Sequence, residues 1–478
     1  MAGDSIEQDH LATINDKPGR SSLGREKLQM LRVSCLVLGA MVGMAQAAAP
    51  FVETPEQRGK RFLLTRSYNP STLVPNAYEN AWKHWGLTEK PPADEYAALF
   101  RQRYGLHPAP YPNDGLPMGL RYETRQLGPL VRKNVTFDCL ICHGGSIFGQ
   151  SHVGMGNNLL DFQAFYEEMH GPPGRPAKSP MQFSRVRGTN EAGAMSVFLI
   201  GYREPNLNIR LNFVNYDLQD DLCEDVPAWW LLKKKKTMYY TGGADTRSVR
   251  SIMQFMMSPL NFPQAIYRAE DDFKDILAYI KSLEAPKYPL KVDAVKAAQG
   301  EQLFRQHCAR CHGTYGEKWT YPNKIIALRE IGTDRRRFDG ITRKFGEYYA
   351  QSWFAQCEHG QPIETDGYQA PPLDGVWATA PYLHNGSVPT LYGVLNSKAR
   401  PTIFRRTFRT DRDVYDEKHV GWKVQVLDKV PPASSLTPRE FREIYDTRIP
   451  GRGNQGHTYG DKLTDEQRFA LIEYLKTL

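Results

Sequence analysis

Two five-residue runs could do the chemistry of this chain: Cys139-Leu140-Ile141-Cys142-His143 and Cys308-Ala309-Arg310-Cys311-His312. Two thiols with two residues between them match the two vinyl groups of one haem, and the adjacent imidazole then meets the iron from one face. One copy alone also fits half of a zinc site or a redox-active dithiol. Two copies, each ending in Cys-His and each followed by a glycine (Gly144, Gly313), point instead to a c-type cytochrome with two covalently bound haem c groups.

Covalent haem attachment takes place outside the cytoplasm, and the N-terminus agrees. Lys27 and Arg32 flank the start of an apolar run, Val33 to Met44, and Ala45-Gln46-Ala47 offers the small residues that a signal peptidase needs. Residues 1–47 therefore read as a signal peptide, and the mature chain as periplasmic or secreted. The polar stretch before Lys27 is long for such a leader, and Met30 is an alternative start. The apolar run is too short to cross a bilayer, so no stable membrane span is expected. Of the seven cysteines, four attach haem and Cys35 leaves with the leader; Cys223 and Cys357 pair only if the fold brings them close. The net charge of +8, from 61 basic and 53 acidic residues, is no nucleic-acid footprint. The run Lys233 to Lys236 reads as a solvated face or as partners for haem propionates.

The haem motifs need helices to frame them. Asp272 to Leu283 and Thr464 to Leu478 both have helical apolar spacing and end alike, Tyr-Ile-Lys-Ser-Leu against Tyr-Leu-Lys-Thr-Leu. Thr464 with Gln467 forms a capping box. Each closing helix needs an opening helix that crosses it closely, with a small residue at the contact. Asp293 to Arg305 supplies Gly300, and Thr54 to Leu64, begun by Thr54-Pro55, supplies Gly59. A long insertion rich in Tyr, Pro and Trp follows the first opening helix. The expected fold class is mainly α: two cytochrome c-type haem domains, 48–285 and 286–478, with long loops, a large N-terminal insertion and few strands.

Gln369 to Leu391 (QAPPLDGVWATAPYLHNGSVPTL) resembles the signature loop of the bacterial di-haem cytochrome c peroxidase superfamily. Within it, Trp377 to Ser387 is most similar to the rubber oxygenase branch, as are Ala228-Trp229-Trp230, Tyr239 to Gly243 and Ile252 to Met256. Where that branch carries Phe-Trp, this chain has Tyr239-Tyr240. The resemblance implies that Phe255 lies over the distal face of the first haem, in a wall with Ile252, Met256 and Tyr240, and leaves its iron open to dioxygen. The peroxidase branch implies calcium held by Asn157 and the carbonyls of Thr379 and Pro381, although asparagine is also an ordinary turn former. Trp230 and Trp377 are candidates to assist electron transfer between the haems, or packing residues against them.

Function turns on the sixth ligand, since an iron ligated on both faces passes electrons while an open one binds oxygen or peroxide. For the second haem, His312 is proximal and His457, just ahead of the closing helix, is the expected distal ligand, with His384 and His419 as alternatives. For the first, His143 is proximal; Met253, Met256 and Met257 offer thioethers or packing, and His152 offers a second imidazole or is a loop residue. Three functions follow. The first is a haem-dependent oxygenase that oxidises or cleaves an unsaturated hydrophobic substrate. The second is a peroxidase that reduces hydrogen peroxide with electrons from a small cytochrome or cupredoxin, with Glu191 as a candidate acid-base group. The third is a non-enzymatic electron carrier, which the large insertion argues against.

Overall fold

Thr54 sets the first helix. Its hydroxyl accepts from the Gln57 N–H while the Gln57 side chain accepts from the Thr54 N–H, and Pro55 stands at the first helical position, where a missing N–H costs nothing. The computed structural model describes residues 52–127 and 130–478; the leader expected at 1–47 lies outside the described residues. Helix α1 (Pro55–Thr65) leads into the insertion, which holds helix α2 (Ala93–Tyr104) and an antiparallel hairpin of β1 (Leu120–Leu127) and β2 (Leu130–Phe137). Tyr96, Phe100 and Tyr104 on one side of α2 are buried, and Trp85 stacks on Tyr96 at 5.3 Å. The aromatic residues thus give the insertion a core of its own. The hairpin shows no clear alternation of apolar and polar residues, which is why it does not stand out in the sequence.

A second hairpin, β3 (Gly144–Ile147) with β4 (Gln150–Val153), follows the first haem motif directly. Helices α3 (Phe162–His170) and α4 (Ala192–Ile200) come next, then α5 (Pro263–Ser282), which begins nine residues earlier than the apolar spacing alone places it. Helix α6 (Ala294–His307) runs into the second motif. Beyond it lie α7 (Arg343–Gln351) and a three-stranded sheet with β5 (Ile403–Arg406) between β6 (Val424–Val426) and β7 (Ile444–Asp446). The chain closes on α8 (Asp465–Leu475), capped by the Thr464–Gln467 box.

Two helix crossings organise these elements. In α1 against α5, Phe62 and Leu63 are buried with Phe273, Ile276 and Ile280, and Arg58 grips both carboxylate oxygens of Asp275 at 2.7 and 2.8 Å. In α6 against α8, Phe304 is buried with Leu471, Ile472 and Leu475. Each buried side chain of this size stabilises the fold by about 1.5–3 kcal/mol. The backbones approach so closely that a Cβ on Gly59 would overlap the Asp275 carbonyl, and one on Gly300 would overlap that of Ala470.

Residues Glu53–Leu478 form one compact unit. The seam expected at 285/286 falls in the extended stretch between α5 and α6, and cores cross it: Phe345, Tyr348 and Tyr349 of α7 join the core of the first crossing. Helices carry the crossings, while loops and short sheets fill the space between them. Most of the strands are four residues or shorter, too brief for their alternation to be legible.

Candidate functional site

Both Cys-X-X-Cys-His runs face one cavity of about 710 Å³, within the size range of cofactor sites. In the first run the Asp138 carboxylate accepts from the Leu140 N–H at 2.8 Å and is itself bonded by Arg121 at 2.7 Å, which fixes the short turn Cys139–Ile141. The β3–β4 hairpin then returns to give the His143 carbonyl its partner, the Gly154 N–H at 2.8 Å. The His143 ring stacks on Trp229 with centroids 4.5 Å apart. In the second run α6 delivers the motif at its C-terminal end, and His312 Nδ1 lies 2.7 Å from the Pro371 carbonyl oxygen. That bond leaves Nε2 to face the cavity, the arrangement by which an outer partner orients an imidazole ligand.

The residues present fit haem. Cys139, Cys142, Cys308 and Cys311 all line the cavity as free thiols, each pair beside its own histidine. Burial pushes the Cys139, Cys142 and Cys308 thiols up to about 12, and burial holds His143 down near 4, so its imidazole is neutral, as iron ligation requires. Among the described residues no three His, Cys, Asp or Glu side chains converge on a metal position.

His457 stands opposite His312. Their ring centroids are 6.3 Å apart; two metal–nitrogen bonds of about 2 Å, with about 1 Å from each nitrogen to its ring centre, span roughly that distance. The His457 backbone lies in the left-handed region at φ 45, uncommon for a residue with a Cβ and characteristic of functional positions. It is held there by its N–H to the Ile331 carbonyl at 2.8 Å and by Arg400, which donates to the carbonyls of Gly456 at 2.7 Å and His457 at 3.1 Å. The signature loop anchors the same segment: Asn385 Nδ2 donates to Gly453 O at 2.9 Å and Ser387 Oγ to the same oxygen at 3.1 Å. Burial, and then the neighbouring His312, lowers His457 to about 4.

Among the alternative ligands, the His384 ring reaches the cavity wall with its Nε2 buried and without a hydrogen-bond partner among the described residues. His419 bonds Asp416 at 2.8 Å and does not line the cavity. His384 does line it, stacked on Tyr368 at 4.2 Å, while its carbonyl accepts from the Asp225 N–H, which suits a loop-organising residue. His152 pairs with Gly145 across the β3–β4 hairpin, beside the proximal His143, and is absent from the cavity wall. Of the methionines, Met256 lines the cavity; Met253 and Met257 are core residues. His170 also lines it, but its ring nitrogens meet Thr72 Oγ1 at 2.8 Å and the Tyr166 carbonyl at 2.9 Å.

Ile252, Phe255, Met256 and Tyr240, the wall that the family resemblance implies, all line the cavity. Phe255 keeps 42% of its surface uncovered, and the Tyr240 hydroxyl donates to the Asp225 carbonyl at 3.0 Å. Trp230 and Trp377 do not line the cavity: they are core residues whose indoles donate to Asp374 O at 2.8 Å and Pro286 O at 3.1 Å. Their neighbour Trp229 is the tryptophan at the site.

Glu191 requires a correction. It sits just before α4, absent from the cavity wall, with its oxygens accepting from the N–H groups of Leu222 at 2.7 Å and Cys223 at 3.1 Å. The glutamate that does line the cavity, beside Asp138, Asp225 and Asp374, is Glu224, paired with Arg337 at 2.7 Å with both side chains buried. Burial pushes Glu191 up to about 8 from 4.5, against the pull of its two N–H donors. A carboxyl with a raised folded pKa contributes stability that is full below about 4.5 and lost as pH rises through about 8. Thermal melts between about pH 5 and 9 should therefore fall more steeply for the natural chain than for Glu191→Gln; equal slopes would contradict this.

Of the expected calcium donors, Asn157 is engaged. The Asn157 amide oxygen takes the Leu159 N–H at 3.1 Å and faces His107 at 3.1 Å, while its NH2 donates to Gly105 and Ile141. Thr379 and Pro381, expected to offer their carbonyls, both line the cavity. It is Asn158 that reaches the signature loop, donating to Ala380 O at 2.6 Å. Cys223 and Cys357 are both free thiols.

Residues 367–405 match a RoxA-like, cytochrome c-like family model. That segment contains the whole of the signature loop, and the match supports haem c and redox activity for this chain. The uncharacterized protein y4iM of Sinorhizobium fredii is 29% identical over 297 residues, covering 53% of this chain and 64% of that protein. Protein y4iJ of the same organism is 28% identical over 263 residues, 41% of each chain. Neither alignment reaches two thirds of the relative's own length. Among the described residues no helix is long and apolar enough to cross a membrane.

Proposed function

We propose that this chain is an exported di-haem c-type oxidoreductase, similar to rubber oxygenases, whose N-terminal site uses dioxygen to oxidise or cleave an unsaturated hydrophobic substrate while its C-terminal site transfers electrons. The observation that carries this reading is one cavity shared by both motifs, with a second imidazole facing His312 and an apolar wall of Ile252, Phe255 and Met256 near the first. Bound haem would supply an iron with an open face at one site and an electron-transfer centre at the other.

The chain supplies the rest. The four cysteines would attach the two groups covalently, and His143, His312 and His457 would hold their irons. Lys235 brings a cation to the cavity wall, where it suits a propionate carboxylate; Arg337, Lys233 and Lys234 are already paired, with Glu224, Glu284 and Asp374. Ile252, Phe255, Met256 and the partly buried Tyr240 ring would hold an apolar substrate and exclude water from it. Calcium is no part of this reading.

Peroxide reduction is the second reading, favoured by the Glu224–Arg337 pair: a carboxylate inside the cavity is a group that could move a proton. Electrons would then enter at the second site from a small cytochrome or cupredoxin. One preparation assayed both ways separates the two. The oxygenase reading predicts oxygen uptake stimulated by polyisoprene or oleate without added reductant, reduced about tenfold or more in Phe255→Ala. Fast peroxide-dependent oxidation of a reduced small cytochrome, with no oxygen consumed on either substrate, would overturn it.

A further inference from the structure

A second cavity, of about 560 Å³, lies beside the three-stranded sheet and shares no lining residue with the first. Its wall brings together Arg187, Arg405, Arg406, Arg439 and Lys423 with one acidic residue, Glu443. Three guanidinium groups converge on that carboxylate: Arg187 bonds Oε1 at 3.0 Å, Arg405 bonds Oε2, and Arg439 Nε stands 4.0 Å from Oε1. Arg439 Nε is buried without a hydrogen-bond partner among the described residues. Arg406 forms no ion pair among the described residues; it donates to the Asn158 carbonyl at 2.9 Å and side-chain oxygen at 3.1 Å. Asp225, on the wall of the other cavity, acts on it only from a distance.

The guanidinium groups are held in place. Arg187, 4% exposed, also donates to Gln102 O at 2.7 Å and Leu159 O at 3.1 Å, and its guanidinium lies 4.5 Å from the Phe408 ring centre. Clustering like charges in a partly buried hollow is unfavourable unless an anion offsets them. Burial and mutual repulsion lower Arg187 to about 10 and Arg406, with Asp225 pulling the other way, to about 9. Fixed forks of this kind suit tetrahedral or carboxylate oxyanions, which they bond in pairs.

We propose that this cavity binds a small multivalent oxyanion of the phosphate or polycarboxylate class. The concave wall and the anchored Arg187 favour a small ligand over an acidic protein surface. Isothermal titration of the haem-loaded full chain in low-chloride buffer, with inorganic phosphate in one arm and citrate in the other, tests it. Saturable binding of one anion per chain is expected in at least one arm, and the tighter arm names the source. Arg405→Gln/Arg439→Gln should weaken that binding about tenfold or more, and Arg439→Gln alone should weaken it several-fold. Arg412→Gln, which removes a surface pair with Glu417, should leave it unchanged. Retained circular dichroism and haem absorption establish that each variant is folded. No saturable binding in either arm, or equal binding by the natural chain and folded Arg439→Gln, would overturn the proposal.

Discussion

His457→Gly is expected to convert the second haem from a low-spin, six-coordinate centre to a high-spin or water-ligated one while leaving both haems attached. The effect should be complete because His312 and His457 are the two histidine rings that face each other across the span an iron needs. Glycine also suits the left-handed backbone at this position, so the change removes the imidazole without adding strain. Optical and EPR spectra read the result directly. An unchanged spectrum in His457→Gly, with an altered one in His384→Gly, would move the ligand to the signature loop.

Gly300→Val should cost more than about 3 kcal/mol of stability, above the usual range for overpacking. The new side chain would meet not a movable side chain but the Ala470 carbonyl and the Cβ of Tyr474, so α6 and α8 must separate. Separation uncovers Phe304, Leu471 and Leu475 and loosens the helix that delivers Cys308. Gly59→Val is the counterpart at the Asp275 carbonyl. Denaturant unfolding of both variants checks this, and a loss under about 1 kcal/mol in either would mean that the crossing is looser than the structure has it.

What the sequence made legible was local. The haem motifs are fixed by spacing within five residues, and the helix starts by Thr54 with Pro55 and by Thr464 with Gln467, each within three residues. The crossing glycines were legible because close backbone approach admits few residue types. His457 could be placed because it precedes a capped closing helix. What escaped depended on which way a side chain turns. Trp229 and Trp230 are adjacent, and only the onset of a tight helix at Trp229 decides which one meets His143. Glu224 replaces Glu191 because an antiparallel bridge pairs Asn190 with Glu224, bringing together two carboxylates distant in sequence and aiming only one at the cavity. Asn158, not Asn157, reaches the signature loop for a similar reason: the two are adjacent, and the turn that begins at Asn158 decides which one faces the loop.

The chain is expected to hold two haems, one open and one closed by a second histidine. The most direct measurement is an EPR spectrum of the purified protein, with its haem content fixed by pyridine haemochrome. The expected result is two haems per chain, one low-spin with bis-histidine character and one that is high-spin or binds carbon monoxide on reduction. A single haem per chain, or two low-spin bis-histidine centres with neither binding carbon monoxide, would contradict it.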